Sequence, residues 1–461
     1  MLLTGSARDA LALHQDRRGH RLKSSRNLPP AKPASVLHAR LSPDGTSLAV
    51  RPHRWEGPTF QENCPPAGHW PMPHVAVTRD RCATLTAFDQ FVVKLHSRCN
   101  LACDYCYVFE LLDTGWRRRP RTMPAAVREQ VAHRISEHVR RHRLSRIRVI
   151  LHGGEPLLAG TAVIDEFAAS MRRIVEATGA RVELAVQTNG TLLTDAMLEV
   201  LLRHEISVGV SLDGDERAHD RHRGRRGVND TVRQGSHAQV AAALARLDTP
   251  RHRRLFGGLL CTVDLANPPG ATYDALVAHH PPAVDFLLPH GTWDAPPTGT
   301  GGTGAPYGDW LCEVFDLWER DGRPVRVRLF ESVIGMCRDH TGSSAEALGT
   351  LPAAVAVVET DGALVWADSL NAVADGASHT GANIFSHSFD GVLALPDAPE
   401  HGVGSLCATC RSCALVEICG GGLRAHRYGR GQEFANPSVY CLDLTRLIQH
   451  ISRRTAPMDQ G

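Results

Sequence analysis

An α/β fold, with six βα repeats forming an incomplete or open parallel barrel and a cysteine-bearing region at the carboxyl end, is what this sequence predicts. Three observations carry it. Short apolar runs alternate with longer segments of helical period between about residues 88 and 288, the pattern of right-handed βαβ units and a parallel sheet. Several of the runs end in Gly, Asn, Ser or Asp motifs, and parallel α/β folds gather their chemistry at that carboxyl edge. Cysteines cluster at 99–106 and 407–419, with another at 441, which points to metal ligation in a reducing compartment and away from disulfides.

Taken in order, the expected strands are 90–96, 146–152, 181–187, 206–212, 256–262 and 283–288, with helices near 124–142, 161–177, 194–203, 232–246 and 271–280. The first strand is the run Phe91-Val92-Val93-Lys94-Leu95 and the second Ile147-Arg148-Val149-Ile150-Leu151. Residues 289–306 are a breaker-rich loop and a domain boundary, a helix over about 307–320 follows, and beyond 325–332 the chain is less regular and rich in Gly, Ser and Asp. Residues 1 to about 84 are rich in Pro, His and Arg without a sustained period and read as a poorly ordered extension, in which Cys64 and Cys82 are incidental thiols. Cys261 and Cys312 read as core residues.

The 461 residues suit two or three domains with a large core. A formal charge of +2 gives no reason to expect nucleic acid or an anionic membrane as partner, and no apolar stretch approaches the roughly 20 residues that span a bilayer, so a cytoplasmic protein is expected. Lys23, Lys32 and Lys94 are the only lysines among 51 basic residues, a skew that reads as coding bias.

The motif that organises the chain is Cys99-Asn100-Leu101-Ala102-Cys103-Asp104-Tyr105-Cys106, directly after the first strand. Three thiols so spaced wrap one face of a compact inorganic cluster and leave a fourth face open, whereas zinc sites and electron-transfer clusters normally draw four protein ligands. A substrate or cofactor is the natural occupant. The second strand runs into His152-Gly153-Gly154-Glu155-Pro156: the glycines permit close backbone approach, and Glu155 is placed to receive an ammonium group. Gln187-Thr188-Asn189-Gly190 and Ser211-Leu212-Asp213-Gly214 close the next two strands with short hydroxyls and amides, a set best explained by one bound ligand.

The thiol loop and Gly153-Gly154-Glu155-Pro156 together resemble the signature of radical S-adenosylmethionine (SAM) enzymes. The resemblance implies a partial (β/α)6 barrel over 85–290, a [4Fe-4S] cluster held by Cys99, Cys103 and Cys106, and SAM on the open iron, whose reductive cleavage yields a 5′-deoxyadenosyl radical. It implies Gly153, Gly154 and Glu155 at the methionine end of SAM, Tyr105 and Leu288 or a neighbour near the adenine, Ser211 at the ribose, Arg223 at the methionine carboxylate, and Asn189 among the groups that ring the cofactor.

Cys410, Cys413, Cys419 and Cys441 form a second set that spacing alone suits to zinc or to a fully protein-ligated cluster. It resembles the SPASM extension of radical SAM peptide maturases, here over 351–461 beyond a bridging region at 291–350, and so implies an auxiliary [4Fe-4S] cluster. Leu423 and Ala367 stand where that family usually carries ligands for a further cluster, so one auxiliary cluster is expected; Cys407 is read as a spare thiol or a neighbour of the ligands, and Cys337 as the other nearby candidate. Asp368, beside Ala367, matches a position used as a general base in sulfatase-activating relatives.

Phe286-Leu287-Leu288-Pro289-His290-Gly291-Thr292-Trp293, Val358-Glu359-Thr360-Asp361-Gly362 and Asn436-Pro437-Ser438-Val439-Tyr440-Cys441 further resemble the maturases of FxSxx-COOH-type ribosomal peptides. That likeness implies a precursor peptide with a leader, a reductant such as flavodoxin or ferredoxin, and a crosslink from an aromatic ring to a β-carbon, a three-residue cyclophane. The alternatives are a formylglycine-generating or thioether-forming maturase and, from another class, a non-catalytic iron-sulfur or zinc scaffold.

Overall fold

The structure, a computed structural model, describes residues 87–225, 234–339, 347–350, 354–396, 398 and 402–455. The expectations for residues 1–84, with Cys64 and Cys82, fall outside the described residues.

The barrel strands are β1 (Gln90–His96), β2 (Arg146–Gly153), β3 (Arg181–Thr188) and β4 (Ser207–Ser211), then, after a short β5–β6 ribbon (Gly224–Arg225, Gln234–Gly235), β7 (Phe256–Thr262) and β8 (Ala283–Leu287). Between them run α1 (Ala125–His142), α2 (Thr161–Val175), α3 (Asp195–Arg203), α4 (Glu216–His222), α5 (His237–Leu247) and α6 (Pro269–Val277). The apolar stripe of α1, Val127, Val131, Ile135 and Val139, recurs every four residues and is buried against the sheet. The helix stops at Arg143, which takes a left-handed φ of 52°. Thr194 caps α3 by accepting the Met197 amide, and Asp215 caps α4 through Ala218.

The ten strands of the main sheet lie in the order β12-β11-β10-β1-β2-β3-β4-β7-β8-β9. From β10 to β9 every pairing is parallel. The expected βα repeats are all present, their strands agreeing with the expected bounds to within a residue. Beyond them come α7 (Pro306–Arg320), β9 (Arg326–Val327), α8 (Arg328–Asp339), β10 (Val355–Val358), β11 (Ala363–Val365), β12 (His379–Asn383) and α9 (Phe389–Leu393), then α10 (Ala408–Arg411), α11 (Val416–Cys419) and α12 (Cys441–Thr455). The carboxyl-terminal region thus enters the sheet itself: β10 pairs in parallel with β1, Val93 opposite Val358. Among the described residues no helix is long and apolar enough to cross a membrane.

Burial on both faces makes β1 the spine of the site. Phe91, Val93 and Leu95 fill the core on one side, while Lys94 and His96 are buried on the other. A lysine enclosed there needs anionic partners, and the chain supplies them from its far end.

Candidate active site

The carboxyl edge of β1 and β2 is built by close backbone approach. The Gly154 amide donates to the His96 carbonyl and the Glu155 amide to the Arg98 carbonyl, each at 2.9 Å. A Cβ on Gly154 would stand 2.5 Å from the Arg98 carbonyl; one on Gly153, whose φ is 148°, would stand 2.1 Å from the His96 oxygen. Only glycine fits either place. Gly153→Ala is therefore expected to cost about 2–4 kcal/mol of stability, read from chemical denaturation of the two proteins side by side.

The pairing carries Cys99 over Glu155 and starts the loop of three thiols. Ser97 and Arg98 anchor its first half, the Ser97 hydroxyl to Pro120 and the Arg98 guanidinium to the Trp116 and Arg117 carbonyls. The Ala102 amide holds the second half to the Gly224 carbonyl at 2.8 Å. Burial pushes the Cys99 thiol up to about 12 and the Cys103 thiol up to about 11, and raises Cys106, with the three adding to one another's cost of ionising. Thiolates gathered there are costly until a cation compensates them, so the donor set fits a cluster of iron and sulfide.

The other expected cofactor contacts converge on the same edge. Glu155 is fully buried and accepts from the Leu157 amide, the Thr188 hydroxyl and the Asn189 amide at 3.0, 2.7 and 2.8 Å. Burial holds its carboxyl up at about 7 despite those bonds. Asn189 reaches from β3 toward the Cys99 sulfur at 3.6 Å. Ser211, at the end of β4, accepts from Gln187 at 3.1 Å. Tyr105 donates its hydroxyl to Asp213, which also takes Arg223 Nε at 2.7 Å and the Thr262 amide at 3.0 Å. Asp213, quoted in its motif but given no role from sequence, is thus the hub that orients Tyr105 and Arg223: burial alone would raise its carboxyl, but Arg223 holds it below the ordinary value. Leu288 follows β8, half-buried against the core.

A second constellation lies on the inner face of the sheet. Lys94 places Nζ 2.6 Å from Glu359 Oε1 and 2.6 Å from Asp368 Oδ1, and Arg119 stands 3.1 Å from the same Glu359 oxygen. Burial opposes charge on Lys94, yet the two carboxylates raise its pKa. Burial would likewise raise Asp368, but Lys94 keeps its carboxyl below the usual range and hence ionised. His152, opposite Lys94 in the sheet register, is half-buried and feels the charges of Asp368 and Lys94. Burial lowers His290 to about 4 and His426 to about 3, so both rings are neutral near pH 7. The His290 ring is tilted 53° against that of Tyr107 with centroids 4.7 Å apart, and His426 lies 5.8 Å from His290. Lys94 was visible in the sequence as the one lysine after residue 32, inside an apolar strand of an Arg-dominated chain.

The carboxyl-terminal thiols sit on and between three helices: Cys410 on α10, Cys413 after it, Cys419 ending α11 and Cys441 opening α12. Cys407, at the start of α10, accepts a hydrogen bond from the Cys410 thiol and is drawn down to about 6 by it; the structure brings this fifth thiol to the set. Cys337 instead meets Ser452 on α12. The Arg427 guanidinium faces Cys410, Cys407 and Cys419. Where the family pattern has its further ligands, Ala367 packs with Trp366, Leu370, Val373 and Ala425, and Leu423 is buried. That apolar filling fits one auxiliary site, not two.

Residues 93–247 match the Radical SAM superfamily. Over 384 residues the chain is 26% identical to the serine-type anaerobic sulfatase-maturating enzyme of Klebsiella aerogenes, covering 78% of this chain and 87% of that one. It is 21% identical to the cysteine-type enzyme of Clostridium novyi over 358 residues, 75% and 90% of the two chains. The solved structure "Native anSMEcpe with bound AdoMet" superposes with a TM-score of 0.67 at 21% identity, over 79% of this chain and 98% of that one, and shares the fold. The relatives favour the formylglycine-generating alternative over the crosslinking reading. Residues 93–247, which hold the three-thiol loop, are thus a radical SAM domain, set in a chain that shares the fold of that solved structure.

Proposed function

We propose that this protein is a peptide or protein maturase that oxidises a substrate side chain at its β-carbon, with formylglycine formation from Ser or Cys as the first reading. The observation that carries it is the ionised Asp368 held by Lys94 beside the thiol-bearing edge. Removing a Cβ hydrogen and then one electron leaves one proton to take away, and an enclosed carboxylate with no proton of its own is the acceptor that step needs. Likeness to both serine- and cysteine-type sulfatase-maturating enzymes supports the assignment.

A [4Fe-4S] cluster and SAM at Cys99, Cys103 and Cys106 would supply a 5′-deoxyadenosyl radical, and a cluster at Cys410, Cys413, Cys419 and Cys441 would supply an electron acceptor. The chain's own part is to hold and orient. Gly153 and Gly154 let the backbone approach the methionine end of SAM, Glu155 receives its ammonium, Arg223 its carboxylate, and Tyr105 and Leu288 flank the adenine, with Asn189 and Ser211 toward the ribose. Flavodoxin or ferredoxin is the proposed reductant. Because Glu155 stands at about 7 and an ammonium ligand favours the carboxylate, SAM binding must expel a proton below that pH. Affinity is expected to fall about tenfold per unit as pH drops below 7 and to level off above it. Glu155→Gln should flatten the profile, read by equilibrium dialysis.

The second reading, a ring-to-Cβ crosslink, is favoured by the apolar filling around Ala367 and by the segments at 286–293 and 436–441. Both products from Ser-type or aromatic substrates lose two hydrogens, so mass alone does not separate them. The protein, loaded with clusters under anaerobic conditions, is incubated with SAM, reductant and either a sulfatase-derived peptide or the peptide of a short reading frame beside the gene. A product that reacts with hydrazide reports formylglycine; two-hydrogen loss without that reactivity, on an aromatic-containing peptide, overturns it in favour of the ring.

A further inference from the structure

Away from the thiols, α1 and α9 bring together a group of metal-ligating side chains with no part in the chemistry above. His138 and His142 lie one turn apart on α1, so both rings leave the same face, and Asp390 stands in the first turn of α9. Asp390 Oδ1 is 3.3 Å from His138 Nδ1 and 2.5 Å from His142 Nε2. The ring centroids are 4.4 Å apart, and one ligand atom from each of the three residues lies within 4.8 Å of the others.

An independent observation marks this as more than a surface ion pair. His138 is 1% exposed, enclosed by Phe88, Phe91 and Phe389, and its polar neighbours, the Asp390 carboxylate at 3.3 Å and the Phe88 backbone, fall short of well-aligned hydrogen bonds. A buried imidazole whose partners are poorly aligned is under-satisfied, and a cation between Nδ1 and Oδ1 would satisfy it. Tetrahedral zinc with bonds of about 2.1 Å sets neighbouring ligand atoms about 3.4 Å apart. The His138 pair already has that spacing, and only the His142 contact must open. His142 and Asp390 are 27% and 17% exposed at the side chain, which gives an ion its way in and a place for a water as fourth ligand.

We propose that His138 Nδ1, His142 Nε2 and Asp390 Oδ1 bind a divalent transition-metal ion, with zinc as the fitting probe, and that the ion clamps α9 of the carboxyl-terminal region onto α1 of the barrel. Two imidazoles and a carboxylate suit zinc and its neighbours and exclude a preference for calcium or magnesium.

The test uses the full chain with its clusters in place, dialysed against zinc, washed and assayed for zinc and iron together. Wild type should keep about one zinc per chain with an X-ray absorption shell of nitrogen and oxygen alone, near 2.0 Å, since thiolate capture would show sulfur near 2.3 Å. His142→Ala, a half-exposed change, should lose that zinc at unchanged iron; Asp390→Asn should weaken its retention at least tenfold; and Arg140→Ala, on the exposed side of α1, should keep it. Zinc should raise the melting temperature of wild type and not of His142→Ala. Equal zinc in wild type and His142→Ala, a sulfur shell, or no zinc in wild type overturns the proposal.

Discussion

Cys103→Ala abolishes reductive cleavage of SAM and lowers the iron of the anaerobically loaded protein from about eight to about four per chain. The loop offers three thiols and no fourth, so removing one leaves two ligands, too few to retain a cubane, while Cys410, Cys413, Cys419 and Cys441 lie elsewhere, on α10, the turn after it, α11 and α12, and keep theirs. The backbone of the loop is held independently of its sulfurs, by Ser97, Arg98 and the Ala102 amide, so the variant folds and its circular dichroism is unchanged. Cys413→Ala has the opposite signature: 5′-deoxyadenosine still appears, but peptide oxidation falls because the second set no longer accepts an electron. Iron assay and 5′-deoxyadenosine release measure both. Full iron and wild-type cleavage in Cys103→Ala would remove the loop from the reaction, and zinc at either set would favour a scaffold over an enzyme.

What could be read from the sequence follows the range of the interactions. The barrel strands are apolar runs between helical segments, a signal contained within about thirty residues, and β7 appears with the expected bounds. The thiol loop and the glycines after β2 were legible for the same reason. In contrast, β11 has three residues and β10 four, too few to establish a period, and β10 finds its partner β1 at a sequence separation no local pattern encodes. The Lys94–Glu359 contact spans 265 positions. Asp368 was named by resemblance, but the lysine that sets its ionisation was passed over as coding bias, although a lone lysine in an arginine-rich chain was the available signal. His290 stood in a quoted segment without a role, and His426 carried no motif at all; only the folded contacts bring the two rings together beside Tyr107.

Asp368→Asn separates radical generation from product formation. Lys94 holds the Asp368 carboxyl below the ordinary range, so wild-type turnover has no acid limb from this group in the neutral region: the base is ionised throughout and is lost only as pH falls through its depressed pKa. Asparagine keeps the shape and an oxygen toward Lys94 but cannot take a proton. SAM cleavage should continue at the wild-type rate while oxidised peptide falls by about 10²–10⁴, and iron content and peptide affinity should be unchanged. Lys94→Met changes the same carboxylate from the other side. With the ammonium gone, burial pushes Asp368 upward, so an acid limb moves toward neutral pH and oxidation declines as pH is lowered, with a stability loss of about 3–5 kcal/mol for two enclosed carboxylates left without their lysine. Glu359→Gln, which leaves Lys94 its contact with Asp368, should shift the profile little, because Glu359 positions the lysine and never meets the substrate's proton. The three profiles, measured as oxidised peptide per 5′-deoxyadenosine between pH 5.5 and 9, decide the assignment. Coupling within about threefold of wild type in Asp368→Asn would pass the base role to another group of that constellation, Glu359, His152, His290 or His426.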